Sequence, residues 1–325
     1  MFSYKESLVI RKHLIGNKSH TQSITFLIAF LLLITSVAGC GQQQSQLPII
    51  DMHVHCYGEE RTFGVKDPYG NLGSANAERL FTETYERFIK YNIVKAVVSG
   101  PLEVVETWKS KDEDNRIIRG VLMMASDDHG MNAERLERMI KDSKIELFGE
   151  IAPFYSGTTL SDLEWQPYLK ICEKYDIPVC VHTGAGPPAI TYTWAPKSRL
   201  PLGDPYLIEE VLVRYPRLRI YIAHSGAEWH EHALRLMACY PQLYSDLGAG
   251  LWIEPLAQRY MRDFLRNAKH AGYLDRVMFG SDQMHWPHGI EMSIEYLNSL
   301  DFLSEKDKRD IFYNNAARFL RLKEK

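Results

Sequence analysis

Eight short, β-rich apolar runs alternate with longer stretches of helical periodicity, and this alternation limits the fold more than any other feature of the chain. The runs are 47–55 (LPIIDMHVH), 93–99 (IVKAVVS), 118–125 (IRGVLMMA), 145–152 (IELFGEIA), 177–182 (IPVCVH), 218–224 (LRIYIAH), 243–248 (LYSDLG) and 276–282 (RVMFGSD). Helical patterns occupy 76–91, 133–142, 165–175, 205–215, 230–240 and 255–270, and two more, 288–300 and 304–322, close the chain. Strands that alternate with helices need crossover connections and therefore a parallel sheet. Eight such units in about 280 residues predict a single α/β domain, a (β/α)8 or TIM barrel. An open doubly wound sheet competes for the same pattern, but no GxGxxG follows the first run. Residues 56–75 and 183–203 are long connections after strand C-terminal ends, where barrels build their active sites.

Composition removes several function classes. With 45% hydrophobic and 24% charged residues, the chain has the apolar content of a folded protein rather than a disordered one. A net charge of −3 provides no electrostatic footprint for nucleic acid. Five cysteines in 325 residues are too few for a disulfide scaffold. Cys56, Cys172, Cys180 and Cys239 match no zinc-finger or CxxC spacing and are expected to be free.

The N-terminus differs from the rest. Lys5, Arg11, Lys12 and Lys18 precede an apolar run from Ile24 to Gly39 that is short for a membrane span and ends in small residues. That order predicts a secretory signal over 1–39, with an uncut membrane anchor as the alternative. Val37-Ala38-Gly39-Cys40 resembles the bacterial lipobox, which implies a lipidated Cys40, a polar tether over 40–46 and a barrel over 47–325. The protein is then expected to be exported and held at a bacterial membrane, on the periplasmic or cell-surface side.

The two-residue strand period sorts the chemistry. On that period Ile49, Asp51, His53 and His55 share a face, as do Cys180 with His182, Ile220 and Ile222 with His224, and Met278 and Gly280 with Asp282. Four strands thus deliver four imidazoles and a carboxylate to one rim. Glu146, Phe148 and Glu150 share a face in the fourth run, which adds a second carboxylate. Such a donor set suits zinc, with manganese or iron as alternatives, better than calcium or magnesium. The second and third runs end in Ser99 and Ser126-Asp127, which are weaker donors. On the long loops, Arg61, Lys66, Lys197 and Arg199 are candidate clamps for a substrate carboxylate, though loop cations are commonly just solvated. His285, Trp286, Tyr192 and Trp194 are candidate pocket residues, with packing on the barrel as the favoured alternative for the loop aromatics Tyr192 and Trp194.

The segments IIDMHVH, VCVHTG, IAHSG, FGSDQ and YNNAARFL resemble the amidohydrolase superfamily, in particular the amidohydrolase-related branch that includes aminocarboxymuconate-semialdehyde decarboxylase. The resemblance runs from about Leu47 to the C-terminus. It implies one or two divalent metals, with His53, His55, His182 and Asp282 as ligands. His224 becomes a second-metal ligand or a catalytic base, and Glu150 either bridges two metals or is a buried carboxylate paired with a neighbour. The leading expectation is hydrolysis of an amide, lactone or ester in a small molecule by metal-activated water, with Asp282 and His224 catalytic. Non-oxidative decarboxylation of an unsaturated or aromatic acid is the alternative, followed by metal or solute binding without turnover. Barrels of this kind often dimerise, so a homodimer is expected by analogy.

Overall fold

The computed structural model describes residues 47–126 and 128–322, without the side chain of His129. The expected signal, Cys40, the tether and Asp127 lie outside the described residues. Eight parallel strands alternate with helices: β1 (Ile49–His55), β2 (Ile93–Ser99), β3 (Ile117–Arg119), β4 (Phe148–Ile151), β5 (Val179–Val181), β6 (Ile220–Ile222), β7 (Leu243–Asp246) and β8 (Val277–Met278). β1 to β3 form one ladder and β4 to β8 another. Backbone bonds join the two sets on both sides. Val121 and Met123 donate to Gly149 and Glu150, and Met52 and Asp282 donate to Phe279 and His53. The sheet therefore closes on itself, which leaves no edge strand exposed.

Two apolar layers follow from closure. The barrel interior holds Ile50, Met52, Val97, Ile118, Leu147, Cys180, Tyr221 and Met278, and Ala316 and Phe319 of the C-terminal helix join this cluster. A larger outer layer packs the opposite strand faces (Ile49, Val54, Phe148, Val179, Ile220, Ile222, Val277) against the helices. The helices match the sequence pattern, with Ala77–Lys90, Ala133–Lys141, Gln166–Tyr175, His230–Cys239, Pro255–Ala271 and His288–Ser299 each in its expected place. Leu102–Ser110 is an added helix that its mixed LEVVETWKS pattern had not announced. The segment expected over 304–322 is Glu305–Arg309 and Asn315–Leu320 joined by a π turn.

Strict alternation fails in three strands. Asp51 pairs with Ala96 and Val54 with Val98, so β1 carries one residue more than β2 over that stretch. Such a bulge reverses side-chain direction beyond it. Ile49 lies in the outer layer, Ile50 and Met52 in the interior, and Val54 again outside. His53 and His55 face inward because of the bulge, so they do not share Ile49's face as the simple period predicts. β4 repeats the device: Phe148 pairs with Val179 and Ile151 with Val181. Phe148 is consequently an outer residue stacked on Tyr168, and Glu146 is tied to Arg119, while Glu150 turns in. In β6, Ile220 and Ile222 are outer residues too, and His224 departs from the strand at φ 63. Among the described residues all four cysteines are free, three of them buried, and no helix is long and apolar enough to cross a membrane.

Candidate metal centre

At the C-terminal end of the barrel, His53, His55, Glu150, His182, His224 and Asp282 are all buried and converge. The Nε2 atoms of His53 and His55 lie 3.3 Å apart. Asp282 Oδ1 lies 3.2 Å from His55 Nε2 and 3.8 Å from His53 Nε2. Glu150 Oε2 is 3.3 Å from His55 Nε2 and 3.5 Å from His53 Nε2. On the other side, Glu150 Oε1 is 2.7 Å from His182 Nδ1 and 3.3 Å from His224 Nε2. His182 Nδ1 and His224 Nε2 are themselves 3.1 Å apart.

Proton positions follow from the surrounding acceptors. His53 Nδ1 donates to Asp246 Oδ2 at 3.0 Å, and His224 Nδ1 donates to the Gly248 carbonyl at 3.0 Å. In each neutral ring the Nε2 lone pair then points into the centre. Asp246 also accepts from the backbone N–H groups of His224 and Gly248, so one buried carboxylate orients two imidazoles. Close packing maintains this arrangement. A Cβ on Gly248 would come within 2.6 Å of His53 Nδ1, and one on Gly280 within 2.9 Å of His53 Cβ. His224 and Asp282 both hold positive φ (63 and 48), a conformation that costs a non-glycine residue about 1–3 kcal/mol and clusters at functional sites.

The donor set fits a divalent metal ion. Tetrahedral bonds of about 2.0–2.1 Å give ligand-to-ligand edges of about 3.3–3.4 Å. The spacing between His53 Nε2 and His55 Nε2, and those from each of them to Asp282 Oδ1 and to Glu150 Oε2, run from 3.2 to 3.8 Å. Asp282 Oδ1, His55 Nδ1 and His182 Nε2 are buried without a hydrogen-bond partner. Charge is poised in the same sense. Burial opposes ionisation of Asp282, yet His53 and His55 bring its pKa down to about 2. Burial likewise disfavours the Glu150 carboxylate, but His53 and His182 hold it well below the ordinary range. Burial also opposes protonation of His55, and Asp282 and Glu150 overcome it to push the pKa up to about 9. His53 is raised in the same way by Asp282, Asp246 and Glu150 against its burial. His182 differs: burial lowers it, and Glu150 only partly offsets the effect.

The amidohydrolase family profile matches residues 50–322. The chain belongs to the amidohydrolase family. Among solved structures, this amidohydrolase resembles an uncharacterized TIM-barrel protein from Bordetella bronchiseptica (19% identity, 85% of this chain and 99% of that one, TM-score 0.61). It also resembles a probable 2-pyrone-4,6-dicarboxylic acid hydrolase from Acinetobacter baumannii with citric acid bound (16%, 85% and 100%, TM-score 0.58). A third is a dihydroxybenzoic acid decarboxylase from a Polaromonas species with bound manganese and an inhibitor (15%, 86% and 98%, TM-score 0.58). No curated protein matches. At these identities the neighbours establish the barrel fold, and the family match establishes an amidohydrolase-family enzyme.

The wall of the amidohydrolase site is aromatic. Buried Tyr57 stacks between His55 (5.7 Å) and His285 (4.4 Å), and the Arg61 guanidinium lies over it at 5.1 Å. Phe154 and Tyr155 pack on His182, and Trp194 packs on Tyr155 at 4.7 Å. Of the residues expected near the pocket, Arg61 and His285 therefore reach the mouth. Trp286 instead donates its Nε1–H to the Val65 carbonyl and braces the first long loop. Arg199 donates to the Pro196 and Ser198 carbonyls and so holds its own loop, and Lys66 and Lys197 are exposed. Tyr192 is 90% exposed, which corrects the expectation that it packs on the barrel. Asp246, Tyr57 and Tyr155 had not been singled out. The period of β7 and its position in the barrel could have flagged Asp246, whereas the two tyrosines carry no signal in the linear sequence.

Proposed function

We propose that this chain is a metal-dependent hydrolase that cleaves an amide, lactone or ester bond of a small molecule. The observation that carries this reading is the placement of Asp282. One carboxylate oxygen belongs to the donor set beside His55, while Oδ2 lies 3.8 Å from His224 Nδ1, the nitrogen that donates to Gly248. A divalent ion in that set, zinc by preference with manganese or iron as alternatives, would lower the pKa of water toward ~7 and polarise a substrate carbonyl. Asp282 then accepts the proton of the attacking water on a carboxylate oxygen and returns it to the leaving group. His224 has Nδ1 committed to Gly248, so it acts through Nε2, either on the substrate carbonyl or on a cation. Tyr57, Phe154 and Tyr155 shield the reacting atoms from bulk water, and Arg61 is placed to hold an anionic substituent.

Decarboxylation is the second reading, and Arg61 is the observation that favours it, because that route needs a cation on the substrate carboxylate. A pocket of about 350 Å³ lies beside Arg61, lined also by Glu60, Pro101, Leu122, Met124 and Asp128 and by none of the metal-centre residues. The test uses the full-length chain loaded with Zn(II) against lactones, amides, esters and carboxylated aromatics. Acid release is expected, and Asp282→Asn should keep most of its metal while kcat falls by about 10²–10⁴-fold. Carbon dioxide as the only product would select the second reading. Unchanged kcat in the variant would take the proton transfer away from Asp282.

We further propose that Cys40 carries the lipid and that the chain works at a bacterial membrane. Support comes from the basic, apolar and small-residue order of residues 1–39. Metabolic labelling with palmitate should mark the wild type and not Cys40→Ala; equal labelling would exclude this anchor.

A further inference from the structure

We propose that the N-terminal end of the barrel is a docking surface for the anionic headgroups of a phospholipid bilayer, and that this contact turns the metal centre toward the aqueous side. The inference rests on the membrane location proposed above and is independent of which bond the enzyme breaks.

Parallel strands give the barrel two unlike ends. The metal centre occupies their C-terminal ends, and the chain enters at the other, through Leu47 and Pro48 ahead of β1. Leu47 is exposed. The C-terminal helix Asn315–Leu320 closes this second end, with Ala316 and Phe319 packed into the barrel interior against Tyr221. A tether over 40–46 reaches at most about 25 Å when fully extended. A lipid on Cys40 therefore keeps the entry end of the barrel beside the bilayer.

Six guanidinium groups gather at that end. Arg217 and Arg219 precede β6, Arg276 precedes β8, Arg309 meets Pro48, and Arg318 and Arg321 flank Phe319. The whole chain is acidic at −3, so composition alone does not produce such a cluster. Helix dipoles favour cations in last helical turns. Arg217, Arg219 and Arg276 lie instead in the connections that lead into strands.

Their hydrogen bonds leave the positive charge standing. Arg309 donates to the Pro48 carbonyl, Arg318 to that of Asp275 and Arg276 to that of Met237. A carbonyl satisfies an N–H group without cancelling its charge. Arg219 donates to the Phe319 carbonyl at 2.9 Å and shares one carboxylate, Asp176, with Arg321. Glu173 lies 3.5 Å from Arg217 and Asp275 lies 3.8 Å from Arg276, while Asp310 beside Arg309 is paired with Lys306. The side chains of Arg217 and Arg321 are 83% and 63% exposed, open to a partner. Clustered arginines next to a membrane attachment suit lipid phosphates, which guanidinium groups bind through paired N–H donors. Docked this way, the enzyme draws its substrate from the aqueous compartment, and bilayer lipids stay away from the metal centre.

Cys239 supplies the reporter. It ends the helix His230–Cys239 at the same end of the barrel and is exposed, whereas Cys56, Cys172 and Cys180 are buried. The experiment uses the full-length chain carrying Cys40→Ala, which has no lipid, with vesicles of phosphatidylcholine alone or mixed with phosphatidylglycerol. A membrane-impermeant maleimide should label Cys239 about tenfold more slowly on the anionic vesicles than on the neutral ones, and about 1 M salt should abolish the difference. Arg217→Glu combined with Arg321→Glu should weaken binding to the anionic vesicles by at least about tenfold. Equal labelling on both vesicles, a difference that survives high salt, or full binding by a folded double variant would overturn the proposal. If circular dichroism shows that double variant to be unfolded, Arg217→Gln with Arg321→Gln takes its place, with weaker binding as the expected result and unchanged binding as the contrary one. Palmitate labelling of the wild type reads the anchor separately, so a missing lipid and a missing docking surface give different results.

Discussion

His53 donates its Nδ1–H to Asp246 across 3.0 Å of buried space, and this bond decides which ring nitrogen of the first histidine faces the barrel mouth. Asp246 touches none of the open space above the centre, yet it orients His53 and receives the backbone N–H of His224. Replacing it with alanine frees the His53 tautomer and leaves three donors unpaired, His53 Nδ1–H and the backbone N–H groups of His224 and Gly248. Metal affinity is expected to fall about 10–100-fold, as for other partners of ligating histidines. Competition with a chelating dye measures it, and an affinity within twofold of wild type would remove Asp246 from this role.

Gly280 makes a second prediction through packing alone. An added methyl would stand 2.9 Å from His53 Cβ and 3.3 Å from Asp246 Cγ. Overpacking of this kind costs about 1–3 kcal/mol. Gly280→Ala should therefore melt at a lower temperature and bind metal more weakly. A variant with wild-type melting and wild-type metal content would show that β8 yields more easily than the contacts imply.

Metal binding should release protons. Without an ion, His55 holds its proton up to about pH 9, and His53 is raised as well. A cation must displace those protons, so apparent affinity rises with pH through the neutral range and weakens as the medium is acidified. Each displaced proton contributes about a tenfold change per pH unit. Isothermal titration in buffers of different ionisation enthalpy counts the protons. A count of zero at pH 7 would contradict the charge arrangement of the cluster.

His285 predicts a pH effect on folding. Burial, with Arg61 and His55 adding to it, lowers its pKa to about 4 from an ordinary 6.5. Between those values the unfolded chain binds the extra proton, so this residue makes stability rise with pH from about 4 to 6.5. The contribution is complete above 6.5 and is lost as the pH falls through that window. In His285→Phe, which keeps the stack on Tyr57, denaturation midpoints should vary less with pH over the same range. An identical pH profile in the variant would reject the assignment.

Much of this was legible in the linear chain, and the exceptions share a cause. The eight strands follow from apolar runs that alternate with helical periods, and HxH with the terminal Asp282 locates the rim. Which face of a strand points inward depends on register with its neighbours. One extra residue in β1 and one in β4 invert the simple count at His53 and Glu150. Both residues reach the centre, although Ile49 and Phe148, assigned to the same faces, lie in the outer layer. Asp246 escaped notice because its role depends on a partner 193 residues away. Tyr57 and Tyr155 acquire meaning only through rings stacked on them in space.

The inserted residues in β1 and β4 also bear on how this protein can change over generations. Shortening either strand by a single codon would restore an even pleat and swing an imidazole or a carboxylate among the surrounding helices. Point substitutions nearby can be absorbed one at a time, but a lost residue there would empty the reaction chamber in one step. Length variation among descendants should therefore gather in the loops and spare these two strands.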